Sequence, residues 1–179
     1  MFTIALARAR DLSELPAIEL AAARLLAGHA PDSVLAETTS PEEMRRAHQL
    51  GHLWVALDDD KPVGFAHVTI LEPCHAHLEE IDVHPDYGRQ GIGKQLVTAV
   101  CAWAAREGYE SVTLTTFRVV PFNMPFYASL GFEIIPETSV SAALRGVVAD
   151  ETRRGLDLSR RAVMRRQCRI SDGQADRSI

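Results

Sequence analysis

"GRQGIGKQL", Gly88 to Leu96, sets three glycines within six residues directly ahead of an apolar pattern of helical period. Ile92, Leu96, Val97, Val100, Cys101 and Ala104 recur on one helical face and Gly108 closes the segment, so a helix over 92–107 follows the loop. Gly88, Gly91 and Gly93 let the backbone curl so that successive N–H groups point inward, beside the unbonded N–H groups and positive dipole end of that helix. Phosphate oxygens suit such a place, and Arg89 and Lys94 add charge that reaches a pyrophosphate. The glycines alone read equally well as a plain tight turn. The loop lacks the GxxxxGK[ST] spacing of an NTPase, and it lacks a GxGxxG before a crossover strand with an acid about 20 residues on, which speaks against ATP and nicotinamide nucleotides.

Outward from the loop, the pattern alternates strands and helices. Upstream, 75–85 ("HAHLEEIDVHP") reads as a strand with imperfect alternation, and 53–57 with 63–71 as a hairpin closed by Asp58, Asp59 and Asp60. Ser40-Pro41-Glu42-Glu43 has the order of an N-cap, a first-turn proline and first-turn acids, predicting a helix to Leu50. A strand over 2–9, a helix over 12–27 and a loop over 29–40 precede it. Downstream, "SVTLTTF" (111–117) is strand-like, Asn123 opens a short helix ending at Gly131, and "FEII" is a strand. Residues 137–158 read as a broken amphipathic helix, 160–166 as a last strand, and 170–179 as a flexible tail. The expected class is mixed α/β, one sheet with helices on both faces, in one domain over 1–169.

The chain has 179 residues, enough for one substantial core; 46% are apolar and 24% charged, as in folded proteins. A net charge of −5 offers no general attraction to nucleic acid or anionic membranes. The sequence has neither a membrane-length apolar run nor a signal-peptide pattern, giving a cytoplasmic expectation. Three cysteines without a CxxC indicate neither a disulfide framework nor a thiolate zinc site. "CHAH" (74–77) with His84 finds no second cluster to complete a four-ligand set, so no metal is expected. Trp54 and Trp103 read as packing and "RRQCR" (165–169) as a solvated end.

Set in this frame, Gly88-Arg89-Gln90-Gly91-Ile92-Gly93 resembles the [Q/R]-x-x-G-x-[G/A] motif of the GCN5-related N-acetyltransferase (GNAT) family, which stands after a strand at a helix start. "EIDVHPDYGRQGIGKQLV" and "NMPFYASLGFEII" are similar to two successive family motifs, and the resemblance covers 53–135. Gly88 departs from the usual Gln or Arg, which removes a side-chain contact and leaves the backbone amides. The resemblance implies a mostly antiparallel mixed sheet of six to seven strands, splayed into a V that holds acetyl-CoA as co-substrate. It further implies main-chain pairing of Ile81, Asp82 and Val83 with the pantetheine arm, an oxyanion-holding N–H near Ile81, phosphate contacts from Arg89, Gln90, Gly91, Ile92, Gly93 and Lys94, and a contact from Asn123. Exposed strand ends in such folds often pair, which allows a homodimer.

The reaction implied is direct attack of a primary amine, on a small molecule or a peptide, on the thioester in a ternary complex. An alkylamine of pKa about 10.4 is almost wholly protonated at pH 7, so a base is required, and the leaving thiolate calls for an acid. Tyr127, one helical turn after Asn123, matches the family's general acid. Regular alternation puts His77, Glu79, Ile81 and Val83 on one side, making Glu79 the first candidate base with His77 as relay or alternative. A bulge would upset that parity, which keeps Glu80 in reserve. Acceptor recognition is expected from 27–50, Phe117 to Phe122 and 137–158, where Glu37, Glu42, Glu43 and Arg118 form a mixed set. The competing class is a non-catalytic acetyl-CoA sensor or structural module.

Overall fold

The run Leu53–Asp58 (β2) is apolar at all but its last position, because it is covered on both faces: Leu53, Val55 and Leu57 join one core, Trp54 and Ala56 the other. In the computed structural model, which describes residues 2–169, β2 belongs to a seven-stranded sheet. Its other strands are β1 (Thr3–Leu6), β3 (Lys61–Glu72), β4 (His75–Val83), β5 (Ser111–Phe117), β6 (Glu133–Ile134) and β7 (Arg161–Gln167), in spatial order β1-β2-β3-β4-β5-β7-β6. All neighbouring pairs are antiparallel except β4 with β5. Asp59 and Asp60 both take positive φ (44° and 71°) in the β2–β3 turn, as a two-residue hairpin requires.

The helices are α1 (Leu15–Ala23), α2 (Asp32–Leu35), α3 (Pro41–Leu50), α4 (Ile92–Arg106), α5 (Met124–Ser129) and α6 (Ala142–Arg153). Against one sheet face lies α4, whose Ile92, Leu96, Val97, Val100 and Ala104 meet Ala66, Val68 and Leu78. On the opposite face Leu15 and Ile18 of α1 and Met44 and Ala47 of α3 meet Leu53, Val55 and Phe65. Ser40 and Glu43 form a reciprocal cap at the start of α3, and Gly51 (φ 70°) ends it.

Several bounds differ from the sequence reading. The helix expected over 12–27 is α1 flanked by two short 3-10 turns, the first of them closed by hydrogen bonds between Arg8 and Asp11. The loop over 29–40 contains α2. The segment 137–158 holds one unbroken helix, α6, with the Ser141 hydroxyl accepting from the Leu144 N–H. "FEII" pairs over two residues only, at the sheet edge. The tail expected over 170–179 lies outside the described residues.

Candidate active site

Two interruptions of the sheet create the site. The first is between β4 and β5, which pair only from His75 to His77 against Ser111 to Thr113. Beyond His77, β4 keeps its partner β3 and β5 keeps β7, so the strands part with one main-chain edge of each facing the gap. The V anticipated from the resemblance is present, and Ile81, Asp82 and Val83 lie on its β4 arm.

The second is a β-bulge. Val68 pairs with Leu78 and His67 with Glu80, leaving Glu79 as the extra residue. The expected parity is therefore corrected. Ile81 and Val83 join Leu78 on the α4 side, whereas Glu80 and Asp82, opposite His67 and Phe65, turn to the α1 and α3 side. Glu79 is exposed and accepts from the Thr69 hydroxyl at 3.0 Å. His77 is 2% exposed, with its Nδ1 2.9 Å from the Thr113 hydroxyl, and burial lowers its pKa to about 4. It is neutral at pH 7.

These strands floor a cleft of about 1900 Å³, larger than one small ligand needs and roomy enough for a cofactor together with an acceptor. At one end lie Gly88, Arg89, Gly91, Ile92, Gly93 and Lys94, with Asn123 and Tyr127 beside them. Gly91 is the N-cap of α4 with φ 80°, which favours glycine, and Arg89 also takes positive φ (61°). Such left-handed residues next to a helix start turn N–H groups into one concavity. The Gln95 N–H bonds Gly91 O, leaving those of Ile92, Gly93 and Lys94 without an intrahelical acceptor. A Cβ on Gly93 would meet the Phe126 ring at 3.5 Å, an ordinary contact, which places α5 directly beside the loop. Gln90 is exposed and does not line the cleft, unlike the other loop residues named in advance. Asn123 stands at the N-cap of α5 but makes no side-chain cap bond.

Tyr127 is 9% exposed and packed against Phe126 and Phe132, at ring separations of 5.1 and 5.8 Å. Burial, helped by the negative fields of Glu80 and Asp82 and opposed by Arg161, pushes its hydroxyl well above the usual phenol range, so the proton stays on. Glu80 is raised to about 7, mainly by burial and then by Glu19; a hydrogen bond from the Ile81 N–H works the other way. Asp82 is raised well above the carboxylate range by burial, Glu80 and Glu19.

Four contributors escaped the sequence reading: Glu19, Arg161, Glu151 and Thr115. Glu19 of α1 is buried in the cleft, and its Oε1 accepts from the Thr39 N–H at 2.8 Å and hydroxyl at 3.0 Å. The signal was its place four residues after Leu15 and next to Ile18, on the buried helical face. Arg161 of β7 grips Glu151 of α6 with two donors (2.6 and 3.1 Å), gives a third bond to the Thr115 hydroxyl at 2.9 Å, and lies 4.5 Å over the Phe117 ring. No local motif marks that network, since its members come together only through the β5–β7 pairing. Among the described residues, no helix is long and apolar enough to cross a membrane.

Comparisons with known proteins agree with this architecture. Residues 20–132 match the sequence pattern of the Acetyltransferase (GNAT) family. Aminoglycoside N(6')-acetyltransferase type 1 of Salmonella typhimurium is 30% identical over 118 residues, spanning 62% of this chain and 79% of that protein. PaiA N-acetyltransferase from Thermoplasma acidophilum, solved with coenzyme A, superposes with a TM-score of 0.71 over 93% of this chain and 99% of its own, at 18% identity. N-acetylglutamate synthase from Neisseria gonorrhoeae, solved with coenzyme A and N-acetyl-glutamate, also reaches 0.71, over 94% of this chain and 35% of its own, at 17% identity. With its family pattern, its splayed sheet and its glycine-capped helix start, the chain belongs to the GNAT acetyltransferase family and is an acetyl-CoA-dependent N-acetyltransferase.

Proposed function

We propose that the protein acetylates a primary alkylamine by direct attack in a ternary complex, with Glu80 as general base and Tyr127 as the hydrogen-bond donor to the leaving sulfur. The observation that carries this reading is Glu80 itself: a carboxyl group in the cleft, raised to about 7, beside the Ile81 N–H at the opening of the V and close enough for its field to act on Tyr127. A base poised near the working pH is half available and still strong enough to take an amine proton.

In the step itself Glu80 takes one proton from the bound ammonium, the neutral nitrogen forms a bond to the acetyl carbon, and the carbon–sulfur bond breaks with the electron pair leaving on sulfur, which takes up the second proton that the nitrogen sheds. The main-chain edge of Ile81 to Val83 suits pantetheine as an added strand, and the Ile81 N–H, which bonds the Glu80 carboxylate in the free protein, would turn to the thioester oxygen as that carboxyl takes up the proton. The N–H groups of Ile92, Gly93 and Lys94, with the Arg89 and Lys94 side chains, suit the pyrophosphate. A CoA thiolate with a thiol pKa of about 8.5 is less basic than the Tyr127 phenolate, so Tyr127 acts by hydrogen bonding as charge builds on sulfur. His77, neutral and held by Thr113, supports the strand junction where β4 and β5 part. Glu79 lies on the solvent side of the bulge as a contact for the acceptor.

The test is Glu80→Gln, assayed by CoA release and by calorimetric acetyl-CoA binding. A fall in kcat of at least about a hundredfold with unchanged acetyl-CoA affinity is expected. Full turnover in this variant, with Glu79→Gln inactive, would return the base to the bulged residue.

A further inference from the structure

The mechanism uses one carboxylate of a group of three. Glu19 from α1 and Glu80 and Asp82 from β4 all line the cleft, with carboxylate oxygens within 4.8 Å of one another. Two carboxylate oxygens of these residues are buried and lack any hydrogen-bond donor: Oε2 of Glu19, a residue only 8% exposed, and Oδ2 of Asp82. The cations whose fields reach the group are committed elsewhere, Arg161 to Glu151 and Arg154 to Glu37. Buried acceptors without donors are uncommon in folded proteins, and the N–H groups of a bound cation would satisfy these two.

We propose that the acceptor carries a second ammonium group on the same small molecule, held by Glu19 and Asp82 while Glu80 handles the proton of the reacting nitrogen. The proposal rests on the acetyl-transfer reading above and goes on to name the acceptor's chemistry. Charge balance through the reaction favours such an acceptor. When the reacting ammonium gives its proton to Glu80, nitrogen and carboxyl both become neutral, and two close carboxylates remain. A monoamine leaves that pair uncompensated at the moment of attack. An acceptor with a neighbouring ammonium keeps a cation there from binding to product, and supplies N–H donors to the two orphaned oxygens. All three carboxyls are pulled upward, first by burial and then by negative neighbours, a cost that a bound cation would relieve.

Butylamine and putrescine share one carbon chain and differ by one amino group, so they isolate the second ammonium. In the wild-type protein kcat/KM for putrescine is expected to exceed that for butylamine by at least about tenfold, the worth of one charge-assisted hydrogen bond. That ratio should fall toward one in Glu19→Gln and in Asp82→Asn. Calorimetry on the CoA-loaded wild-type protein gives a readout free of turnover: tighter putrescine binding, with proton release seen as a dependence of the heat on buffer. Kanamycin as a further arm separates a rigid amino sugar from a flexible chain as the carrier of the two amines. Equal handling of butylamine and putrescine in turnover and in binding overturns the proposal and leaves the transferase reading standing, as does a ratio that survives in both variants. Binding of Ca2+ or Mg2+ by the three carboxylates without discrimination between the amines overturns it too. If neither amine is acetylated while putrescine still binds selectively with proton release, the acetyl-transfer reading fails and the second-ammonium site stands.

Discussion

Replacing Glu19 by glutamine removes one charge from α1, outside the strand and loop that face the cofactor, and its effect on the pH profile can be worked from the geometry. Coulomb's law at the 4.8 Å limit of the carboxylate group gives about 0.9 kcal/mol for two unit charges at a dielectric of 80 and about 3.5 kcal/mol at 20. Both carboxyls line the open cleft, where water screens them, and the lower part of that range applies. Removing a neighbouring negative charge stabilises the Glu80 carboxylate and lowers its pKa. The acid limb of kcat/KM, with a midpoint near the Glu80 value of about 7 in the wild type, should therefore move down by about one pH unit in Glu19→Gln. The introduced amide retains a carbonyl oxygen to accept from Thr39, which keeps the fold in place. The assay is initial CoA release against a primary amine across the acid range, with Glu80→Gln as the control that loses the limb altogether. A midpoint that does not move in Glu19→Gln, or a limb that persists in Glu80→Gln, refutes the electrostatic reasoning.

Tyr127→Phe should cut kcat by about a hundredfold while leaving acetyl-CoA affinity near the wild-type value, measured by turnover and calorimetry side by side. Gly91→Ala meets open space but holds an L-residue at φ 80°, so it should destabilise the protein by about 1 kcal/mol in urea melts and weaken acetyl-CoA binding by distorting the helix start. His77 is neutral in the fold to about pH 4 but takes a proton near pH 6.5 when unfolded. The unfolded state thus binds more protons between those values, and stability falls by about 3 kcal/mol as pH drops through that window, with no dependence above it. His77→Gln should remove that part of the acid loss, read as the difference between the two proteins' urea midpoints at pH 4.5 and 7.5.

The glycine loop, α4, α3 and the strands around them were legible because each rests on local chemistry. A helix start needs free N–H groups and a flexible entry, and Ser40 with Glu43 caps itself within four residues. Tyr127 likewise follows from a motif on a single short helix. The side of the proposed base was harder to read. It depends on whether Glu79 is absorbed into the β3–β4 ladder, and the two strands pair across a register shift that neither strand alone encodes. Period-2 counting from His77 runs through the bulge and exchanges Glu79 with Glu80. Glu19 was missed for another reason: an acid on an apolar helical face reads as a slightly misplaced surface residue until the carboxylates opposite are known. Arg161 and Glu151 meet only because β7 inserts between β5 and β6, a topology set by tertiary pairing.

The brief contact of β4 with β5, three residues on each strand, has a dynamic consequence. Past that junction, amides along one edge of each strand have no neighbouring strand to shield them, although both strands sit in the middle of the sheet. Central amides ordinarily exchange with solvent only through global opening, whereas these exchange by local access. A co-substrate lying in the gap as an added strand would slow that exchange at 78–83. Deuterium uptake there would then report occupancy, and the protein should melt later with acetyl-CoA than without it, because a ligand that binds only the folded state stabilises it.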